Sequence, residues 1–193
     1  METSPPPAPV VVKRAVKPAG PYVPAIGPKL RVVLYFVFGL FAFLAATGVY
    51  LSAVTALNYV RRPNSYTTPF SLWVFLGHTA IGVLGTLPFL AFGLYHWFTA
   101  RKRQNRVAVR LGIILFLVSS LVCVSGFALI QLEGLPQLQT GSVPRDVVYW
   151  LHIALPCAAV WTYVAHRRAG PRIKWGLAKG WGLGVGAFTA VMV

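Results

Sequence analysis

The residues best suited to chemistry in this chain are its four histidines, which fall in two pairs inside long apolar runs. Counted along the chain, the spacing from His78 to His96 is 18, and that from His152 to His166 is 14. At about 100° per residue, a helix returns to its starting direction after 18 steps and misses it by only about 40° after 14. Each run therefore predicts a helix with two imidazoles on one face, one near each end. Imidazole nitrogens bind metals, and two opposed imidazoles can hold the iron of a haem from both sides.

The composition predicts that these runs cross a membrane. The 193 residues are 56% hydrophobic and only 11% charged, and long uncharged stretches separate clusters of lysine and arginine. Because a bilayer core needs roughly 20 apolar residues per helix, we expect an all-α integral membrane protein with a four-helix transmembrane bundle. A fifth helix is predicted near Trp175, and we expect the natural product to continue beyond Val193. The four predicted spans are Leu30–Tyr59, Phe70–Ala100, Val107–Leu132 and Val147–Ala165.

The net charge of +15 reflects membrane topology rather than a nucleic-acid surface. Of the 18 lysines and arginines, 15 lie before span one or in its first turn, between spans two and three or in the first turn of span three, or after span four; only three lie in the other two connections. By the positive-inside rule the N-terminus is cytoplasmic, and those two connections face outward. We therefore predict a protein of a bacterial-type inner membrane, surrounded by lipid, with no nucleic-acid partner.

Three regions follow from this reading. Residues 1–28 open with METSPPPAPV, which lacks the apolar core of a signal peptide, and they predict a disordered, proline-rich cytoplasmic tail. Residues 29–170 form the four-helix membrane domain. Residues 171–193 are predicted to form a basic loop and the start of a fifth transmembrane helix.

Depth in the membrane pairs the histidines across the two helices. His78 and His152 lie near the outer ends of spans two and four, and we call them the outer pair. His96 and His166 lie near the inner ends and form the inner pair. Since spans two and four are antiparallel, the members of each pair can face each other, which predicts two bis-histidine haem b groups in the bundle core.

The two spacings do not match in height. The ligands are about 27 Å apart along span two and about 21 Å apart along span four. The difference of roughly 6 Å must be absorbed by tilt, by a kink at Pro88 or by unequal ligand heights. The inner pair therefore depends on how span two bends.

Other residues are candidates for holding the rest of the haem. Gly112 and Gly126 on span three have the same spacing as His152 and His166, and would leave room for a porphyrin at the two levels. Cations suited to the haem propionates are Arg61 and Arg145 on the outer side and Arg110 on the inner side. Zinc or copper is a poor alternative, because two histidines without nearby cysteine or carboxylate ligands leave either metal under-coordinated.

The chain resembles the di-haem transmembrane cytochrome b superfamily over roughly residues 30–170. This group includes the N-terminal four-helix core of cytochromes b and b6 and the cytochrome b subunits of formate dehydrogenases and hydrogenases. The resemblance lies in LGHTAIGVLGTLPFLAFGLYHW and LHIALPCAAVWTYVAHRRAG, with the span-three glycines in support. Two ligands on span two and two on span four are similar to the cytochrome b and b6 arrangement, although the wider spacing on span two departs from its pattern of about 14.

The resemblance and the residues imply transmembrane electron transfer within a larger oxidoreductase complex. The implied partners are membrane quinone or quinol and a c-type cytochrome or other redox subunit on the outer side, with either direction of flow allowed. One alternative is a quinol-oxidising or ferric-reducing oxidoreductase with its own substrate site, at which Glu133 or Asp146 accepts a proton. Another is a haem-free membrane scaffold or small transporter, in which the histidines would be dispensable.

Overall fold

A computed structural model describes residues 26–61, 65–131, 133–134, 136–170 and 175–192, and every regular element in these ranges is an α-helix. Most of the predicted N-terminal tail (residues 1–25) and the basic loop at residues 171–174 lie outside the described residues. The five helices are α1 (Pro28–Val60), α2 (Pro69–Ala100), α3 (Arg106–Leu129), α4 (Val143–Ala169) and α5 (Trp175–Met192).

The prediction of four helices long and apolar enough to cross a membrane is confirmed for α1 to α4. Their surfaces are inverted relative to a soluble bundle. Large apolar side chains such as Leu87 (75% exposed) and Trp161 (79%) point outward, while Thr47 (1%) is the largest fully buried side chain. Lipid tails accept apolar surface without penalty, so small and polar residues collect between the helices instead. The chain is therefore built for a bilayer.

Local sequence explains where the helices begin. Thr68 and Ser71 form a reciprocal capping box at the start of α2, where Pro69 occupies the first turn. α4 begins at Val143, four residues before the predicted start, because Pro144 needs no hydrogen-bond acceptor in a first turn. Asp146 then lies in that first turn, beside the positive end of the helix dipole.

The end of α3 comes three residues earlier than predicted. Ile130 adopts an extended backbone, and the Arg145 guanidinium donates to the carbonyls of Leu129 (3.3 Å) and Leu138 (3.4 Å). The last carbonyls of a helix have no partner within it, so this side chain stabilises the helix end from the following loop.

The helices associate as two pairs. α1 packs along α2 and α3 packs along α4, while α2 also contacts α3, and α1 reaches α4 at only a few points. Among the described residues, no Cα atom of α2 comes within 8 Å of one in α4. The two histidine-bearing helices therefore stand diagonally across the bundle and leave space between them for side chains or a cofactor.

α5 packs against α1 alone among the four longer helices. It has 18 residues and is not among the helices that meet the length and apolarity expected of a span. The predicted helix after Trp175 is thus present, and its crossing of the membrane stays a prediction.

Candidate functional site

The outer pair spans the gap between α2 and α4. The ring centres of His78 and His152 are 6.3 Å apart, and their planes are nearly perpendicular at 89°. A metal lies about 2 Å from its imidazole nitrogen and about 3 Å from the ring centre, so two rings holding one iron are about 6 Å apart. The separation therefore fits a single iron between the two rings.

His78 is held by a hydroxyl on the neighbouring helix. Its Nδ1 lies 2.8 Å from Thr47 Oγ1, and the same oxygen lies 2.8 Å from the Phe43 carbonyl. The hydroxyl has one proton and the carbonyl can only accept. Both contacts are therefore hydrogen bonds only if the hydroxyl donates to the carbonyl and accepts from Nδ1–H of His78. This assignment leaves Nε2 of His78 unprotonated and free to bind a metal.

His152 repeats this arrangement on the other helix pair. Ser125 Oγ lies 3.0 Å from His152 Nδ1 and donates to the Val122 carbonyl at 2.9 Å. By the same reasoning the serine accepts from Nδ1–H, and Nε2 is the free nitrogen. The two hydroxyls thus set the same tautomer in both members of the outer pair.

His166 of the inner pair is anchored by backbone. Its Nδ1 lies 2.9 Å from the Ala108 carbonyl, which can only accept, so Nδ1 carries the proton. Asn105 supports this contact, because its side chain caps α3 and donates to the Ala169 carbonyl of α4 at 2.7 Å. The inner ends of α3 and α4 are thereby tied together beside His166.

His96 differs from the other three histidines. Its Nδ1 is buried and has no hydrogen-bond partner among the described residues. Its ring stacks on Phe92 of its own helix, with centres 5.7 Å apart and planes 8° apart. The described residues show no ring contact between His96 and His166 like that between His78 and His152.

Glycines let three of the histidine rings lie against neighbouring helices. A methyl group added at Gly126 would lie 3.1 Å from His152 Cε1, and one at Gly112 would lie 3.1 Å from His166 Cε1. Gly48 on α1 stands in the same relation to His78, at 3.4 Å. The two glycines predicted to line the site are therefore in contact with its histidines, one at each level.

The three predicted propionate partners are placed differently. Arg145 uses its guanidinium to bind backbone carbonyls, and Arg61 lies exposed at the end of α1. Arg110 is exposed, two residues from both Ala108 and Gly112, which puts it on the opposite side of α3 from the His166 contacts. Two other cations, Arg103 and Arg167, act electrostatically on the inner histidines His96 and His166, respectively.

A layer of phenylalanine rings separates the two levels. Phe89 of α2 contacts Phe41 of α1 and Phe116 of α3, with ring centres 5.4 Å and 5.6 Å apart. Gly93 makes this possible, because a methyl group there would overlap the Phe116 ring. The two histidine pairs are thus divided by a packed apolar layer.

The donor set fits a haem better than a bare ion. Within the part of the chain that the structure describes, no three His, Cys, Asp or Glu residues are grouped closely enough to hold a metal. A porphyrin supplies four nitrogens itself and requires only two axial ligands, which is what the outer pair offers. Cys123 and Cys157 are both free thiols.

Sequence reasoning missed the residues that orient the ligands. Thr47–Gly48 contacts His78, and Ser125–Gly126 contacts His152. In both cases a hydroxyl residue directly precedes the glycine, so the repeated dipeptide was a usable signal.

No protein-family profile, curated protein or solved structure matches this chain. The assignment of function therefore depends on the chemistry of the site.

Proposed function

We propose that this protein is a di-haem transmembrane cytochrome b that transfers electrons through two haem b groups. The electrons pass between the quinone pool and a c-type cytochrome or other redox partner on the outer side. The observation that carries the proposal is the outer pair, whose ring centres are 6.3 Å apart between helices whose described Cα atoms stay more than 8 Å apart. The resemblance to cytochromes b, noted in the sequence, supports the same assignment.

The side chains of this chain have three tasks in such a protein. His78 and His152 bind the outer iron through Nε2, while His166 and His96 bind the inner iron. Thr47, Ser125 and the Ala108 carbonyl accept from Nδ1–H, which orients each ring and increases its donor strength. The haem, when bound, supplies reversible one-electron chemistry.

Because the two haems lie at different depths, electron transfer between them moves charge across the membrane, in either direction. The ligands on α4 are separated by about 21 Å of helix, which spans most of a hydrocarbon core of about 30 Å. Moving one electron against a membrane potential costs about 2.3 kcal/mol per 100 mV. The phenylalanine layer between the levels excludes water and keeps proton movement separate from electron movement.

Haem content is the decisive test. The purified chain, assayed as the pyridine haemochrome, should contain two haems per polypeptide and show b-type absorbance. His78→Ala and His152→Ala should each lower the content to one, because each removes a ligand that a hydroxyl on a neighbouring helix orients. Tyr95→Ala, a matched change at an exposed position of α2, should retain two. Protein that folds and inserts without haem would contradict the proposal.

Electron transfer across a bilayer is tested in vesicles. With ferricyanide trapped inside and dithionite outside, holoprotein should accelerate ferricyanide reduction, whereas His152→Ala and protein-free vesicles should not. Equal rates in all three preparations would rule out a transmembrane conduit.

A second candidate function is quinol oxidation by this chain itself. A shallow, open, apolar groove of ≈ 450 Å³ follows the exposed face of the first turns of α4; its lining residues, Asp146 and Trp150 among them, all belong to α4. Asp146 is the only ionisable residue of that lining and lies six residues before His152. If the groove binds quinol, Asp146→Asn should abolish quinol oxidation while Glu133→Gln leaves it intact.

A further inference from the structure

We propose that His96 is the exchangeable ligand of this protein. It leaves the inner iron reversibly, and a small neutral diatomic molecule such as CO takes its position. His78, His152 and His166 remain bound throughout. The inference rests on the proposed function, since it concerns the same four histidines and the same cofactor.

The hydrogen bonds distinguish His96 from the other three. Thr47, Ser125 and the Ala108 carbonyl each accept a proton from the Nδ1 of one histidine, whereas the buried Nδ1 of His96 has no partner among the described residues. A ligand with such a partner is oriented and is a stronger donor, and loss of the partner weakens metal binding by roughly 10–100-fold. His96 is therefore the weakest of the four ligands.

The helix that should support His96 carries nothing to anchor it. α1 holds His78 with Thr47–Gly48, as α3 holds His152 with Ser125–Gly126. The two histidines of α4 are 14 residues apart, so the position on α3 that corresponds to Ser125–Gly126 at the inner level is 14 residues earlier, at Leu111–Gly112. Gly112 contacts His166. On α1, counting back from Thr47–Gly48 by 14 residues, the histidine spacing on α4, reaches Val33–Leu34. Counting back by 18 residues, the histidine spacing on α2, reaches Lys29–Leu30. Neither pair contains a hydroxyl residue or a glycine.

Register also separates His96 from its partner. The longer spacing on α2 carries it about 6 Å, or roughly one helical turn, further along its helix than His166 lies along α4. Its ring stacks on Phe92, four residues earlier on the same helix, with ring centres 5.7 Å apart. Binding of His96 to the inner iron therefore competes with stacking of its ring on Phe92. When His96 leaves the iron, its ring occupies this stacked position.

The exchange involves no net transfer of electrons. Nε2 of His96 leaves with its lone pair, and the carbon lone pair of CO forms the new bond, while the iron stays ferrous. His166 remains bound on the opposite side, held by the Ala108 carbonyl and by the Asn105 link between α3 and α4. The outer pair cannot exchange in this way, because both of its ligands are oriented by hydroxyls.

The test is CO binding to the full chain in detergent, after reduction with dithionite and after the pyridine haemochrome has established two haems. We expect CO to bind to one of the two haems. The observed rate should saturate as CO is raised, because departure of His96 becomes limiting. In His96→Ala the rate should instead remain proportional to CO, and the apparent affinity should increase about tenfold or more.

Haem stoichiometry provides a readout that does not depend on CO. His96→Ala should still contain two haems, with one high-spin in the oxidised protein, whereas His166→Ala should contain one. No CO binding by the two-haem wild-type protein would overturn the inference and leave the proposed function standing, as would equal haem loss in the two variants. A wild-type protein without haem would instead overturn the proposed function.

Discussion

At the scale of single residues, the tautomers of the histidines carry the most information. A histidine near a metal site is informative only when the nitrogen that bears the proton is known. Here Thr47 and Ser125 each use their one proton on a backbone carbonyl, so each must accept from the histidine beside it. Two hydroxyls therefore leave Nε2 unprotonated in two imidazoles, which is the tautomer that the proposed haem ligation requires.

Removing one of these hydroxyls should change the haem it supports. In Thr47→Val, His78 Nδ1–H loses its acceptor, and a buried donor left without a partner costs about 1–3 kcal/mol. The weaker ligand stabilises ferric iron less, so one of the two reduction potentials should rise, by roughly 60 mV for each tenfold loss of ferric preference. Redox titration of the haem absorbance measures this.

Thr47→Ser is the matched control, because it retains the hydroxyl and should leave both potentials unchanged. A shift of equal size in Thr47→Ser and Thr47→Val would mean that packing, and not the hydrogen bond, sets the potential.

At the scale of helices, the bundle consists of two similar pairs, each with one ligand-bearing helix and one supporting helix. α1 supports α2 through Thr47–Gly48, and α3 supports α4 through Ser125–Gly126. The ligand-bearing helices face each other across the diagonal without direct backbone contact. Each supporting helix thus orients a ring and leaves room for it.

The supporting role of glycine can be tested with two identical substitutions. In Gly126→Ala the new methyl group lies 3.1 Å from the His152 ring and displaces it, so outer haem content should fall and the remaining haem should be less stable to heat. Gly39→Ala on α1 meets nothing within 4 Å and should be neutral, or stabilising by up to about 1 kcal/mol from helix propensity.

Haem content and the thermal loss of b-type absorbance measure both variants. Equal losses would show that helix flexibility, rather than the space beside His152, is what the glycine provides.

At the scale of the whole molecule, charge and apolarity orient the bundle relative to the membrane. Exposed apolar side chains cover α1 to α4, and the connection between α2 and α3 carries a group of cations. The connection between α3 and α4 contains no lysine or arginine, and the nearest cation, Arg145 in the first turn of α4, binds the carbonyls of Leu129 and Leu138. This asymmetry predicts that the α2–α3 connection is cytoplasmic and the α3–α4 connection is on the outer side.

Single cysteines can test this topology. In a Cys123→Ala/Cys157→Ala background, Glu133→Cys should react with a membrane-impermeant maleimide in intact cells, because Glu133 is exposed in the α3–α4 connection. Lys102→Cys, exposed in the α2–α3 connection, should react only after the cells are permeabilised. The opposite labelling pattern would invert the bundle and exchange the two haem levels.

Much of the fold was predictable, because the hydropathy of a span-length segment and the spacing of charges can be calculated from the linear sequence without knowledge of tertiary contacts. These properties predicted the four spans, and the predicted ends lie within four residues of the observed ones. One error falls where a side chain from elsewhere in the chain decides the boundary. At the end of α3, Arg145 binds the Leu129 carbonyl from 16 residues away.

The sequence by itself determined that four histidines occupy two faces at two depths, because helical geometry converts spacing into direction. Only the tertiary structure decided which helix orients each ring, since Thr47 is 31 residues from His78 and Ser125 is 27 residues from His152. The tertiary structure also showed that the two histidine pairs differ. Three histidines form a hydrogen bond to a neighbouring helix through Nδ1, and His96 has no such partner among the described residues. A hydrogen bond between helices depends on their relative rotation and height, and packing sets both.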